Sequence, residues 1–240
     1  MDTLRDQLRT NKFAKIIELI SIFLVAFIII KIFVQTEGDN LFYNQVVVWI
    51  ANIIMLTMVW IGLRVRGENW QDFGLSFKKI SLKGALKVFL LSLLVFALGV
   101  AGFVIGSIIM ANITGIPESS DMSGYAYLKD NIWMLFFTLG GVYIVSSFGE
   151  EVIYRAFLIN RISELGLDNK RGRIVAVIIS AVVFGFAHYS WGPMGVGQTA
   201  FMGLALGFCY IYMKKRLWIL IFAHVYMDTV LMVQMYLASN

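Results

Sequence analysis

The chain has 240 residues, 59% of them hydrophobic and only 15% charged, with a net charge of +5. Soluble domains are nearer half apolar and about a quarter charged. Here the apolar residues come in long blocks rather than alternating strands, which excludes an ordinary soluble domain and predicts an all-α, polytopic membrane helix bundle. The positive balance does not mark a nucleic-acid binder, because Lys and Arg fall between the apolar blocks, where they act as topology signals. The single cysteine, Cys209, excludes an internal disulfide and a Cys-based metal site, and its apolar surroundings make it a packing residue.

Seven spans are predicted, at 13–34, 43–64, 83–110, 131–162, 173–190, 197–213 and 217–237, in one membrane domain over 1–240. The first is too long for a signal-peptide core and reads as an uncleaved anchor. Arg5, Arg9, Lys12 and Lys15 precede it. Arg64, Arg66, Lys78, Lys79, Lys83 and Lys87 surround the second connection. Arg155, Arg161, Lys170, Arg171 and Arg173 surround the fourth, and Lys214, Lys215 and Arg216 form the sixth. Of the 20 basic residues, only Lys31 and Lys129 fall elsewhere. This alternation places the N-terminus in the cytoplasm.

Between the second and third spans, Trp70, Phe73, Leu75 and Phe77 either rest the connection on lipid headgroups or pack it on the bundle. The longest external connection, 112–131, either gates access or is a tether, with the tether favoured, and Asn112-Ile113-Thr114 within it is a chance-level glycosylation sequon. Gly102 and Gly106, and Gly203 and Gly207, provide small-residue faces for close helix packing.

Ionisable residues inside apolar spans are expensive and default to a functional reading. The fourth span carries Glu150-Glu151-Val-Ile-Tyr-Arg155. On an α-helix neighbours point about 100° apart and positions four apart share a face. Glu151 and Arg155 therefore form an ion pair, and Glu150 points elsewhere, free for proton exchange. The fifth span ends Phe184-Gly-Phe-Ala-His188, and the seventh holds His224-Val-Tyr-Met-Asp228. Asp228 either fixes the tautomer of His224 or points with it into one cavity. The set uses both histidines of the chain and its only adjacent acidic pair.

The order Glu-Glu-x-x-x-Arg, Phe-x-x-x-His and His-x-x-x-Asp on separate spans resembles the CAAX-protease and bacteriocin-processing (CPBP, or Abi) family, over roughly 131–237. That stretch reads as a catalytic core, and 1–130 as an N-terminal three-helix part similar to bacterial members only in hydrophobicity and a Phe-Gly-Leu stretch. The resemblance implies an intramembrane endopeptidase of the bacterial plasma membrane, its active site opening toward the cytoplasm. It assigns catalytic roles to Glu150, His188, His224 and Asp228, with Glu151 and Arg155 in support. Some members carry Asn where this chain has Asp228, and an ionised aspartate cannot donate a hydrogen bond.

Two mechanisms use these side chains. In one, Glu150, helped by His188, deprotonates a water, and His224 with Asp228 stabilises the oxyanion. In the other, His188, His224 and Glu150 hold Zn²⁺. The cofactor is thus either none or zinc, with the first favoured, and the substrates are peptides or prenylated-protein tails met at the lipid surface. A non-enzymatic immunity or partner-binding protein and an ion-coupled transporter are the alternatives. A shared site also requires the fifth span to begin below the membrane surface or the helices to tilt, because His188 otherwise lies deeper than His224.

Overall fold

The structure is a computed structural model, and it describes residues 3–35, 40–76, 79–115 and 121–238. Among them every regular element is helical. A short helix α1 (Leu4–Thr10) precedes α2 (Lys12–Phe33), α3 (Leu41–Arg66) and α4 (Leu82–Thr114). A 3-10 turn (Ser123–Leu128) leads to α5 (Ile132–Ser163), α6 (Lys170–Ala187), α7 (Gly192–Tyr212) and α8 (Leu217–Leu237). Polar side chains set the starts: Asn11, Ser81, Asn131 and Asn169 accept hydrogen bonds from first-turn N–H groups of α2, α4, α5 and α6. Gly67, at φ 72°, ends α3.

Six described helices, α2 to α5, α7 and α8, are long and apolar enough to cross a membrane. α6 has 18 residues, about 27 Å of rise. Its first turn carries the exposed Lys170, Arg171 and Arg173. With it the bundle has the seven membrane-length helices that the sequence predicts.

In lipid, helices associate through close packing rather than hydrophobic exclusion. α4 lies along α7 and α8. A Cβ on Gly102 would come within 2.7 Å of the Phe201 carbonyl oxygen, and one on Gly106 within 2.8 Å of that of Gly197. Gly203 and Gly207 admit α6 at Phe184 and Val177 on the other side of α7. Both glycine pairs are packing faces. α5 packs against α3, α6 and α8.

Two apolar cores result. The larger includes Val152, Ile153 and Phe157 of α5 with Leu220 and Ala223 of α8. The smaller includes Val142 and Val145 of α5, Met232 of α8, Trp49 and Leu128. Glu150, Glu151, His224 and Asp228 occupy the stretches between them.

At the basic end of the bundle, charges that read as topology signals are folded in. Lys15, Arg66 and Arg161 are buried. Arg66 bonds Glu18, Lys15 lies 2.9 Å from Glu164, and Arg161 bridges Glu68 and Glu164. The connection after α3 packs on the bundle rather than on headgroups. Phe73 and Leu75 belong to the larger core, Trp70 packs against it, and the Arg161 guanidinium lies over the Phe73 ring. Gly74, at φ 83°, brings its backbone against the Lys215 carbonyl, where any Cβ would overlap. Phe77 lies outside the described residues.

From residue 121 on, the 112–131 connection is not a mere tether. The Asp121 N–H donates to the Trp191 carbonyl at 3.1 Å, and the Asp130 N–H to that of Tyr236 at 3.4 Å. Tyr127 packs edge-on to Phe42, and Leu128 is fully buried. Three large side chains in six residues give this turn enough apolar area to dock as a cap. At its start, Asn112 is still helical and donates to the Ile108 carbonyl.

Candidate active site

Over Tyr143–Leu158, α5 widens from α-helical to π-helical geometry, a departure from the simple α-helix read from sequence. Such stretches are rare and concentrate at functional sites. The widened turn still brackets an i, i+4 pair. Glu151 Oε1 lies 3.2 Å from Arg155 Nη1, with 0% and 1% of the two side chains exposed. Arg155 also stacks on the Phe184 ring, 4.2 Å from its centroid. The Ser180 hydroxyl of α6 donates to the Tyr154 carbonyl at 2.6 Å, giving a backbone oxygen of the widened segment an interhelical partner.

Glu151 does more than pair with Arg155. His224 Nδ1 lies 2.8 Å from Glu151 Oε1, so Nδ1–H donates to the carboxylate and Nε2 is directed away from it. That Nε2 faces Glu150 Oε2 at 3.8 Å and Asp228 Oδ1 at 3.7 Å. Of the two arrangements open from sequence, the tautomer of His224 is therefore set by Glu151, and Asp228 shares the cavity side of the ring. Asp228 is held in turn by the Ser147 hydroxyl, which donates to Oδ2 at 2.7 Å.

His188 stands at the C-terminal end of α6. Its Nδ1 lies 2.9 Å from the Phe184 carbonyl, which only accepts, so Nδ1–H donates and Nε2 keeps its lone pair. The imidazole is sandwiched edge-on by Phe184 (4.8 Å) and Trp191 (4.7 Å). Phe184 also meets His224 at 6.4 Å and Tyr154 at 5.0 Å. His188 is thus one ring removed from His224.

Phe184 stands about 21 Å along α6 from Lys170, whereas His224 stands about 10 Å along α8 from Leu217. Tyr154, Phe184 and His224 nevertheless meet, as a shared site requires.

Glu150, Glu151, Arg155, His224 and Asp228 form one buried cluster, with His188 beside it. Sequence reading misses Ser147, Tyr154 and Trp191. A small hydroxyl one turn before Glu150 signals the first, and nothing local signals that Trp191 would fold back on His188. Among the described residues no three His, Cys, Asp or Glu side chains are arranged to hold a metal ion. As placed, the residues do not fit the zinc set of His188, His224 and Glu150.

Fold and cluster together define a polytopic membrane protein with a buried carboxylate–imidazole site. Residues 131–230 match the family described as Type II CAAX prenyl endopeptidase Rce1-like. The match runs from α5 into α8 and is consistent with the CAAX-protease (CPBP) family, whose members are intramembrane endopeptidases. The helices before residue 131 lie outside the match. No curated protein and no solved structure matches the chain.

Proposed function

We propose that this protein hydrolyses a peptide bond in membrane-associated peptides or prenylated protein tails, with Glu150 activating the water. The observation that carries this reading is the state of Glu150 Oε2. It is buried and has no hydrogen-bond partner among the described residues. Buried polar atoms are normally paired, and an unpaired carboxylate oxygen beside an imidazole nitrogen marks a place for a substrate proton.

A water between Glu150 Oε2 and the scissile carbonyl gives up its proton to Glu150 as its oxygen attacks the carbonyl carbon. The carbonyl oxygen becomes an oxyanion. His224, held through Nδ1 by Glu151, donates to that oxyanion from a protonated Nε2. Asp228, tied down by Ser147, orients the other flank of His224. The C–N bond then breaks, and the proton taken by Glu150 passes to the leaving amine. His188 Nε2, an acceptor by virtue of its Nδ1 bond, orients the water. No step requires a metal.

Substrate reaches the site from the basic, cytoplasmic end, and the opposite end is covered by the Ser123–Leu128 turn. The test is hydrolysis of prenylated and unprenylated peptides by wild type and Glu150→Gln, each with and without a zinc chelator. The variant should lose at least about 10²-fold in kcat, the usual scale for a general base, and chelation should change nothing. Wild-type rates in Glu150→Gln would overturn the assignment. Loss on chelation with recovery on added zinc would replace the glutamate mechanism by a metal one.

A further inference from the structure

The Ser123–Leu128 turn carries one side chain that the mechanism above does not use. Tyr125 packs against the smaller apolar core, whose members include Val145 of α5 and Met232 of α8. Val145 precedes Glu150 by one π-helical turn, and Met232 follows Asp228 by one α-helical turn. The core that Tyr125 packs against therefore borders both carboxylates. Its ring meets Trp191 edge-on at 6.3 Å, and Trp191 meets His188 at 4.7 Å. The Asp121 N–H to Trp191 carbonyl bond ties the two segments together, and the Asp121 side chain receives the Ser123 N–H at the start of the turn. Tyr127, two residues on, accepts a hydrogen bond from the Thr138 hydroxyl at 3.4 Å. The Tyr125 hydroxyl has no hydrogen-bond partner among the described residues.

We propose that Tyr125 is a substrate-positioning residue, its phenol donating a hydrogen bond to a backbone carbonyl of the peptide lying between the cap and Glu150. A phenol suits this place because it is neutral and does not repel a carboxylate-rich site. Burial, and then the charges of Asp228 and Glu150, push its ionisation well above the usual tyrosine range, so it keeps the proton it donates. A ring locked by Trp191 also loses little freedom when the donor is used.

The proposal rests on the peptidase reading, and the test separates the two. Tyr125→Phe keeps the ring against Trp191 and removes only the hydroxyl. It should lower kcat about ten-fold or more, leave KM within about two-fold, and leave thermal unfolding unchanged, because the oriented carbonyl is needed at the transition state. Trp191→Phe should give a smaller loss of the same kind. Wild-type kinetics in Tyr125→Phe, with Glu150→Gln inactive, would overturn the role of Tyr125 and leave the peptidase reading standing. An equal loss of stability and activity in Tyr125→Phe would reduce the residue to packing. A wild type that cleaves none of the peptides, or a fully active Glu150→Gln, would remove the peptidase reading and Tyr125's role with it.

Discussion

Arg155→Met isolates what the buried ion pair contributes. The substitution preserves bulk against Phe184 and removes the cation 3.2 Å from Glu151. Glu151, with no exposed side-chain surface, is then left with His224 as its remaining charge partner. Stripping one member from a buried pair typically costs about 3–5 kcal/mol, because the other charge remains in a poorly solvating interior. The lost stacking of guanidinium on Phe184 adds about 1 kcal/mol. His224 offsets part of this, so a net loss of about 3 kcal/mol is expected, roughly a hundred-fold in the folding equilibrium. Reversible unfolding in mixed detergent micelles, followed by circular dichroism, measures it. The double variant Glu151→Gln with Arg155→Met removes both charges and should be about 2 kcal/mol more stable than the sum of the single changes implies. A single variant within about 1 kcal/mol of wild type, or strict additivity in the double, would refute the claim that these charges depend on one another.

Two further outcomes follow from packing and charge. Gly106→Val should destabilise by about 1–3 kcal/mol, the usual scale for overpacking, because its Cβ would meet the backbone of Gly197 and Gln198 at 2.8 and 2.9 Å. Gly140→Ala, with nothing within 4 Å of the added carbon, is the control in the same thermal assay. Glu164 gives a pH signature: burial works against its charge, but Arg161 and Lys15 outweigh burial and hold its carboxyl below the usual glutamate value. Its stabilisation is therefore fully present above the ordinary value of about 4.3 and is lost as pH falls through its lower folded one. The stability gap between wild type and Glu164→Gln should stay level from about pH 8 to about pH 5 and shrink below about pH 4. A gap that widens on acidification would contradict the ion-pair network at the basic end.

Much of the bundle was written locally. Hydrophobic blocks of membrane length placed all seven helices, and the grouping of Glu150, Glu151 and Arg155 on one span, with both histidines on others, located the cluster. What stayed hidden depends on tertiary contacts. The sequence of α5 gives no sign of π-helical geometry, because the widened turn is tied in by Ser180 on another helix. The Ser123–Leu128 turn has no periodicity and so read as a tether, although Leu128 is fully buried. Arg161 counted as one more cytoplasmic charge, and only the return of Glu68 explains how it is folded in. His224 shows the limit most plainly. Its nearest acid in sequence, Asp228, suggested itself as the tautomer partner, but the group at Nδ1 is Glu151, 73 residues earlier.

That sequence separation matters for how the protein is made. α5 leaves the ribosome before α8 exists, so Glu151 must enter the bilayer long before His224 can meet it. A lone carboxylate at the middle of a nascent span weighs against insertion by about 3 kcal/mol. Arg155, one turn away on the same helix, travels with it as a built-in counter-ion, and the pair can cross the translocon as a neutral unit. The salt bridge then serves twice, first as a passport for an otherwise unfavourable span, and later, once α8 arrives, as the fixture that aims His224.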